Sequence, residues 1–245
     1  MIVGLKARER SRRFVYKLVN IGSTMLVSFP PETRTLIDNV RWETYVALSD
    51  DRRGSVPRIT YDQGLMELMS PKKEHEKIKT LLGRLVAAYA EAIGIEIDSV
   101  ASTTFRREDL GRGFEADESY YIAHAVAMRA KDEIDLNVDP PPELVIEVEM
   151  TSSAICKLEL FARLGIAEVW RHDGNHLRLY HLSNDSYQEI SASIVLPGFP
   201  IAEAQAVVQN RNAQSEIALI KAFRQSIEQS RKELDAPHNG VDDLL

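Results

Sequence analysis

Residues 143–153 read Glu-Leu-Val-Ile-Glu-Val-Glu-Met-Thr-Ser-Ser, and this stretch decides the fold. Alternation puts Leu144, Ile146 and Val148 on one face of a strand and Glu143, Val145, Glu147 and Glu149 on the other. The first set must be buried, so the strand is central rather than a solvated edge. Glu147 and Glu149 then stand roughly 6–7 Å apart on one face. Such a pair repels, and its partial burial costs on the order of several kcal/mol unless something compensates. A divalent metal, a lysine or an arginine is the natural compensator. A sheet face that is simply wet is the alternative.

Downstream, Thr151-Ser152-Ser153 supplies N-cap candidates for a helix whose Leu158, Phe161 and Leu164 face inward, closed by Gly165. Lys157, one turn into that helix, borders its apolar stripe. It is placed either over the carboxylates or as an amphipathic edge lysine. A hairpin follows, Ala167 to His172 and His176 to Leu182 around Asp173-Gly174-Asn175. His172, His176 and His181 flank that turn without i,i+4 spacing and read as surface or structural residues. Tyr187 to Val195 adds strand. Residues 203–234 read as one long helix with Ala213, Ile217, Ile220 and Ile227 as its stripe, and the last eleven residues as a loose tail.

Upstream, residues 57–69 read as a hairpin turning at Asp62-Gln63-Gly64. Ser70-Pro71 then reads as N-cap and first helical residue. The helix carries Ile78, Leu81, Leu82, Leu85, Val86, Tyr89, Ala92 and Ile93 on one face and ends at Gly94. At helical period, His75 and Glu74 fall on or beside that face and Glu76 opposite it. An inward histidine is a packed core residue or a ligand. Short strands at Ile95–Ile97 and Val100–Arg106, a polar loop Asp109–Gly113, a strand Asp117–Ile122 and a weak helix near His124–Arg129 complete the order. The loop delivers Asp117 to a strand entrance, where a carboxylate either binds something or is merely solvated. Arg106, Arg107 and Arg112 precede it and are candidates for phosphate contact, or ordinary surface arginines.

The 245 residues are 44% apolar and 27% charged, which excludes a fibrous or largely disordered chain. No apolar run is long enough to span a membrane. The single cysteine, Cys156, excludes an intramolecular disulfide framework and a cysteine-rich zinc module, and suits a reducing, cytoplasmic compartment. Six basic residues against Glu9 make residues 1–24 a +5 arm, leaving −12 on residues 25–245 of the total −7. The arm lacks a signal-peptide core and reads as a disordered or mis-started N-terminus, with Met25 as an alternative start, in preference to a basic arm that touches phosphates. The acidic body excludes a uniformly basic nucleic-acid coat and is compatible with a magnesium site. No phosphate-binding glycine loop, nucleophile elbow, zinc finger or internal repeat is visible.

The runs ITYDQGLMELMSPKKEHEKIKTLLGRL (59–85), STTFRREDLGRGFEADESYYI (102–122), ELVIEVEMTSS (143–153) and KLELFARLGIAEVWRHDG (157–174) together resemble the Uma-two family of restriction-endonuclease-like proteins. That family lies within the PD-(D/E)XK nuclease superfamily. The resemblance covers about residues 57–200. It implies a mixed α/β, restriction-endonuclease-like core: a central mixed β-sheet flanked by helices, with an N-terminal hairpin and a long C-terminal helix. The nuclease-like domain is expected over residues 25–200 and the C-terminal helix and tail over 201–245. The family's first acid matches Asp117, with Ala116 in the place of its proline, and the second matches Glu147. The superfamily lysine position holds Glu149, and the lysine matches Lys157 instead. The family histidine matches His75; Glu67 and Glu74 match more weakly.

The resemblance implies a Mg²⁺-dependent DNA endonuclease, Mn²⁺ being an alternative ion. Asp117, Glu147 and the Val148 carbonyl are the expected ligands, and Lys157 the group facing the attacking water. Glu149 is expected either to bind a second metal or to hold Lys157. A homodimer on DNA is expected, with no membrane partner. Two further readings stand beside this one. One is a catalytically inactive nuclease-fold module that binds DNA or protein, kept open by Glu149. The other is a structural dimer built on helix 203–234.

Overall fold

The computed structural model describes residues 18–21, 24–27, 32–52 and 56–235. Most of the basic arm and the loose tail expected from the sequence lie outside them. The chain divides at Pro30–Pro31. In the first unit, β1 (Leu18–Ile21) and β2 (Thr24–Val27) pair antiparallel.

The second unit runs β3 (Glu32–Ile37), α1 (Trp42–Asp51), β4 (Arg58–Asp62), β5 (Leu65–Pro71), α2 (Lys73–Ile93), β6 (Asp98–Ser99) and β7 (Thr104–Arg107). A 3₁₀ turn, Glu108–Leu110, leads to β8 (Arg112–Glu115), β9 (Glu118–Tyr121), α3 (Ala125–Met128), β10 (Leu144–Val148) and α4 (Lys157–Leu164). Then come β11 (Glu168–His172), β12 (Leu177–Ser183), β13 (Ser186–Ile190), α5 (Ile201–Gln209) and α6 (Glu216–Asp235). Five strands form an antiparallel sheet in the order β3-β5-β4-β8-β7, and six form a mixed sheet in the order β13-β12-β11-β10-β9-β6. The mixed α/β architecture read from the sequence is what forms.

β10 is central, as its pattern requires. It pairs antiparallel with β9 and parallel with β11, and α4 is the crossover between the parallel strands. Every residue from Leu144 to Val148 is buried. Leu144, Ile146 and Val148 share a core with Ile78, Leu81, Leu82 and Leu85 of α2. Val145 packs with Leu160, Phe161 and Leu164 of α4. The acidic face is therefore covered, not wet.

Several boundaries differ from the sequence reading. Ser70 and Pro71 are not helical: they pair with Thr33 and Glu32 of β3, and α2 starts at Lys73. Pro71 lies beyond the last β4 pair, Arg58–Met69, where its missing N–H leaves one open side of the strand unpaired. The hairpin turn is as expected, with Gln63 and Gly64 both at positive φ. Ile95–Ile97 is not a strand, and the pairing falls on Asp98–Ser99 instead. Thr151-Ser152-Ser153 does not cap α4. The cap residue is Cys156; Leu160 is buried with Phe161 and Leu164, and Leu158 is half-buried against the same core.

The expected helix 203–234 is two helices. Asn210–Ser215 breaks it: Asn210 Nδ2 donates back to the Ala206 carbonyl (2.9 Å), and Ser215 Oγ accepts the Ala218 N–H (3.2 Å) at the start of α6. The break lets Ala204, Val207 and Val208 of α5 and Leu219, Ile220, Phe223 and Ile227 of α6 all enter the α2 core. Ala213 and Ile217 of the expected stripe are exposed. Among the described residues no helix is long and apolar enough to cross a membrane.

One glycine tests the packing of the antiparallel sheet. A Cβ on Gly113 would lie 2.1 Å from Tyr45 Oη, and Tyr45 is fully buried and stacked on Tyr61 at 4.7 Å. Gly113→Ala is expected to destabilise by about 1–3 kcal/mol, because neither ring has room to retreat. Urea denaturation checks this, and an unchanged midpoint would contradict the packing.

Candidate active site

Asp117 lies in the two-residue link Ala116–Asp117, where the chain leaves β8 of one sheet and enters β9 of the other. The β9–β10 register pairs Glu118 with Ile146, so the next step brings Asp117 alongside Glu147. There the ladder stops and the Asp117 side chain replaces it: Oδ2 accepts the Val148 N–H at 2.7 Å. Asp117 is fully buried.

Glu147 sits on the α4 side of β10. Its Oε2 accepts a hydrogen bond from Lys157 Nζ at 2.5 Å, and its buried Oε1 has no protein partner. Lys157, the first residue of α4, is itself buried. Three carboxylates pin the loop that delivers it. Glu32 Oε1 accepts the Thr151 N–H (2.8 Å), Glu149 Oε1 the Ser153 N–H (2.8 Å), and Glu67 Oε2 the Ala154 N–H (3.0 Å). Arg34 bridges Glu32 and Glu67, placing one positive charge between the two buried acids. Glu67 thus holds the backbone that positions Lys157. Glu149 does not hold Lys157. It lies past the end of β10, takes the Ser153 N–H and pairs with Arg171 Nη2 at 2.8 Å.

On the far side of Asp117 stand two cations. Arg58 of β4, buried, donates to Asp117 Oδ1 through Nη1 and reaches Glu76 Oε1 through Nη2 at 3.1 Å. His75, in the first turn of α2 and fully buried, places Nε2 at 3.2 Å from Asp117 Oδ2 and 3.7 Å from Glu32 Oε2. Its Nδ1 lies 3.6 Å from Glu76 Oε1. These are close ionic contacts without hydrogen-bond alignment. The cluster is balanced: Asp117, Glu147 and Glu76 against Arg58, Lys157 and His75.

The ionisation follows from that balance. Burial alone would raise Asp117, but His75 and Arg58 overcome it and hold the carboxyl below its usual range. Burial would lower His75, but Asp117 and Glu76 raise it to about 9. Contact with His75 lowers Glu76 to about 2 despite partial burial. Burial pushes Glu147 up to about 7 against the pull of Lys157. Lys157 is raised in spite of its burial by Glu147 and Asp117, so the lysine keeps its charge and Glu147 is the softer partner.

Asp117, Glu147, Val148, Lys157 and His75, named from the sequence, are thus brought together. Others are not. Glu74, expected to look inward, pairs with Arg211 Nε at 2.6 Å on the link between α5 and α6. Arg106, Arg107 and Arg112 are engaged by Asp50, Asp109 and Asp62 at 2.5, 2.8 and 2.8 Å. His172 is structural, its Nδ1 accepting the Gly174 N–H at 3.0 Å. Arg58 and Glu76 were missed. Arg58 opens a strand of otherwise ordinary pattern, and only the approach of β4 to the β8–β9 link makes it a neighbour of Asp117.

The model of the Uma2 family, described as "Putative restriction endonuclease", matches residues 42–213. The chain belongs to this family. No curated protein matches it. Among solved structures it is similar to a "putative nuclease" from Anabaena variabilis ATCC 29413, with a TM-score of 0.45 at 12% identity over 62% of this chain and 84% of that one.

The Uma2 match spans all six charged residues of the cluster, with Glu32 and Arg34 outside it, and the donors can be tested against a hard divalent cation. Among the described residues no three histidine, cysteine or acidic side chains converge as a closed metal cage. Magnesium does not need one, since it commonly takes one or two carboxylates and keeps its waters. Glu147 Oε1 is a buried oxygen without a partner, which is what an absent oxygen-seeking ion leaves behind. Asp117 offers the second carboxylate. Glu147 and Lys157 also line a cleft of about 300 Å³ with Glu149, Phe161 and Arg171, which opens the pair to a ligand. The residues present fit such an ion.

Proposed function

We propose that this protein is a Mg²⁺-dependent DNA endonuclease that hydrolyses phosphodiester bonds at the Asp117–Glu147–Lys157 cluster, with Mn²⁺ as an effective substitute. The observation that carries the reading is the meeting of these side chains, from three separate segments of a chain whose family is described as "Putative restriction endonuclease", with Lys157 Nζ on Glu147 and Val148 N–H on Asp117. Asp117 and Glu147, with the Val148 carbonyl, would hold the ion, which supplies a water of lowered pKa and a polarised phosphate. Lys157 stays protonated between two acids. Its role is to orient the water and neutralise charge growing on the phosphate, rather than to take a proton. His75 holds Asp117 in place from behind. Glu149, bonded to Ser153 and Arg171, keeps the loop and the cleft wall in position.

Two observations favour a second reading, a nuclease-fold module that binds DNA without cutting it. Both Asp117 oxygens are already taken, by Arg58 and by the Val148 N–H, and an acid stands where the superfamily carries lysine. Incubation of supercoiled and linear DNA with Mg²⁺ or Mn²⁺ separates the two. The nuclease reading expects cleavage by wild type and loss of it in Asp117→Ala, Glu147→Ala and Lys157→Ala. Equal activity in all four would remove the assignment. A salt-dependent mobility shift without cleavage under either metal would establish the second reading.

A further inference from the structure

Arg58 occupies the place of a cation at Asp117. Its Nη1 takes Oδ1, while Oδ2 is bonded to the Val148 N–H and flanked by His75, so each oxygen of this carboxylate already faces a donor and a cation competes for the rest. Arg58 is anchored through the tip of its guanidinium alone. Its buried Nε has no partner, and the guanidinium is held in place by its bonds to two acids, Asp117 and Glu76. Those acids differ: Asp117 is 0% exposed and Glu76 40%. The guanidinium already touches the solvated acid, so leaving the buried one breaks a single contact and keeps the other. A doubly charged ion on Oδ1 would meet the guanidinium at close range in a poorly solvated site, where like charges repel strongly.

We propose that Arg58 is an exchangeable internal counter-ion, held on Asp117 and released onto Glu76 when a divalent cation binds that carboxylate. The proposal rests on the metal-dependent reading above and deepens it: cation affinity is set by a competition inside the protein. Arg58 keeps the buried acid neutralised during folding, and Glu76 is its landing site. Once released, the guanidinium stands beside the bound ion and is free to meet a substrate phosphate.

Mn²⁺ binding to the full chain, measured by electron paramagnetic resonance and by calorimetry, tests this without any activity assay. Arg58→Gln is expected to bind Mn²⁺ about ten-fold more tightly than wild type, since one competing charge is gone. Glu76→Gln is expected to bind several-fold more weakly, and to have no such effect when combined with Arg58→Gln. Binding that Asp117→Asn abolishes but that is equal in wild type and Arg58→Gln overturns the inference alone. Binding that Asp117→Asn leaves intact, or no binding by wild type and Arg58→Gln alike, overturns the metal reading and the inference with it. If Arg58→Gln fails to fold, a Mn²⁺-soaked crystal of the wild type decides. A guanidinium on Glu76 alone supports the exchange; one still on Asp117 beside a bound ion overturns it.

Discussion

Asp117→Asn is expected to lower the free energy of unfolding by about 3–5 kcal/mol and, on the nuclease reading proposed above, DNA cleavage by roughly a thousand-fold. The first effect needs no assumption about function. Asp117 is the fully buried anion of the two that face Arg58 and His75 together, Glu76 being half-exposed. An asparagine oxygen can still accept the Val148 N–H, but its amide cannot neutralise a guanidinium. Where Arg58 now donates, it would meet either a neutral oxygen or another donor. His75 would lose its main partner and its proton. Removing one member of a buried ion cluster leaves uncompensated charge, which is far costlier than losing an exposed pair. Asp109→Asn, which breaks the more exposed pair with Arg107, is the control and is expected to leave the unfolding midpoint nearly unchanged. Chemical denaturation of both variants checks the contrast. Equal midpoints would show that the cluster is not the closed network described.

Raising the pH from 6.5 to 9 is expected to remove up to about 3 kcal/mol of stability, and His75→Gln to abolish most of that loss. His75 is raised from 6.5 to about 9 because Asp117 and Glu76, with Glu32 nearby, overcome the cost of its burial and the repulsion of Arg58. The folded state therefore holds this proton more tightly than the unfolded chain does. The stabilisation is complete below pH 6.5 and disappears as the pH climbs through 9. Glu147 contributes a loss of the same sign in a lower window. Its carboxyl is raised from 4.5 to about 7, so ionising it costs stability between those values. Glu76, lowered from 4.5 to about 2, works in the opposite direction, and its smaller contribution, screened by solvent, is lost as the pH falls through that range. Stability should thus peak on the acid side of neutrality. Melting temperatures of wild type and His75→Gln at pH 6, 7.5 and 9 test it. A flat wild-type profile above pH 6.5 would mean that His75 is neutral among its acids.

Both predictions turn on residues that differ in how visible they were in the chain. Glu147 was legible because alternation in β10 is a local property: a period of two with branched apolar partners permits one arrangement. α2 and its Gly94 cap were legible for the same reason, as was the turn at Gln63-Gly64, where local backbone preference decides. The boundaries that failed are those where a distant strand or core overrides local preference. β3 draws Ser70 and Pro71 into the sheet, and the α2 core divides 203–234 into two helices.

Arg58 shows the limit most clearly. Fifty-nine residues separate it from Asp117, and nothing in its own segment marks it as a counter-ion. The amino-acid order determined that a central strand with an acidic face exists and that a lysine lies in the helical segment after it; that the acids are buried and that Lys157 opens the helix were decided by the fold. Only the packing of two sheets decided that Asp117 and Glu147 should be neutralised from opposite sides, by Arg58 and His75 on one and Lys157 on the other. Charge compensation in a buried place depends on distance through space, and a linear chain does not state that distance.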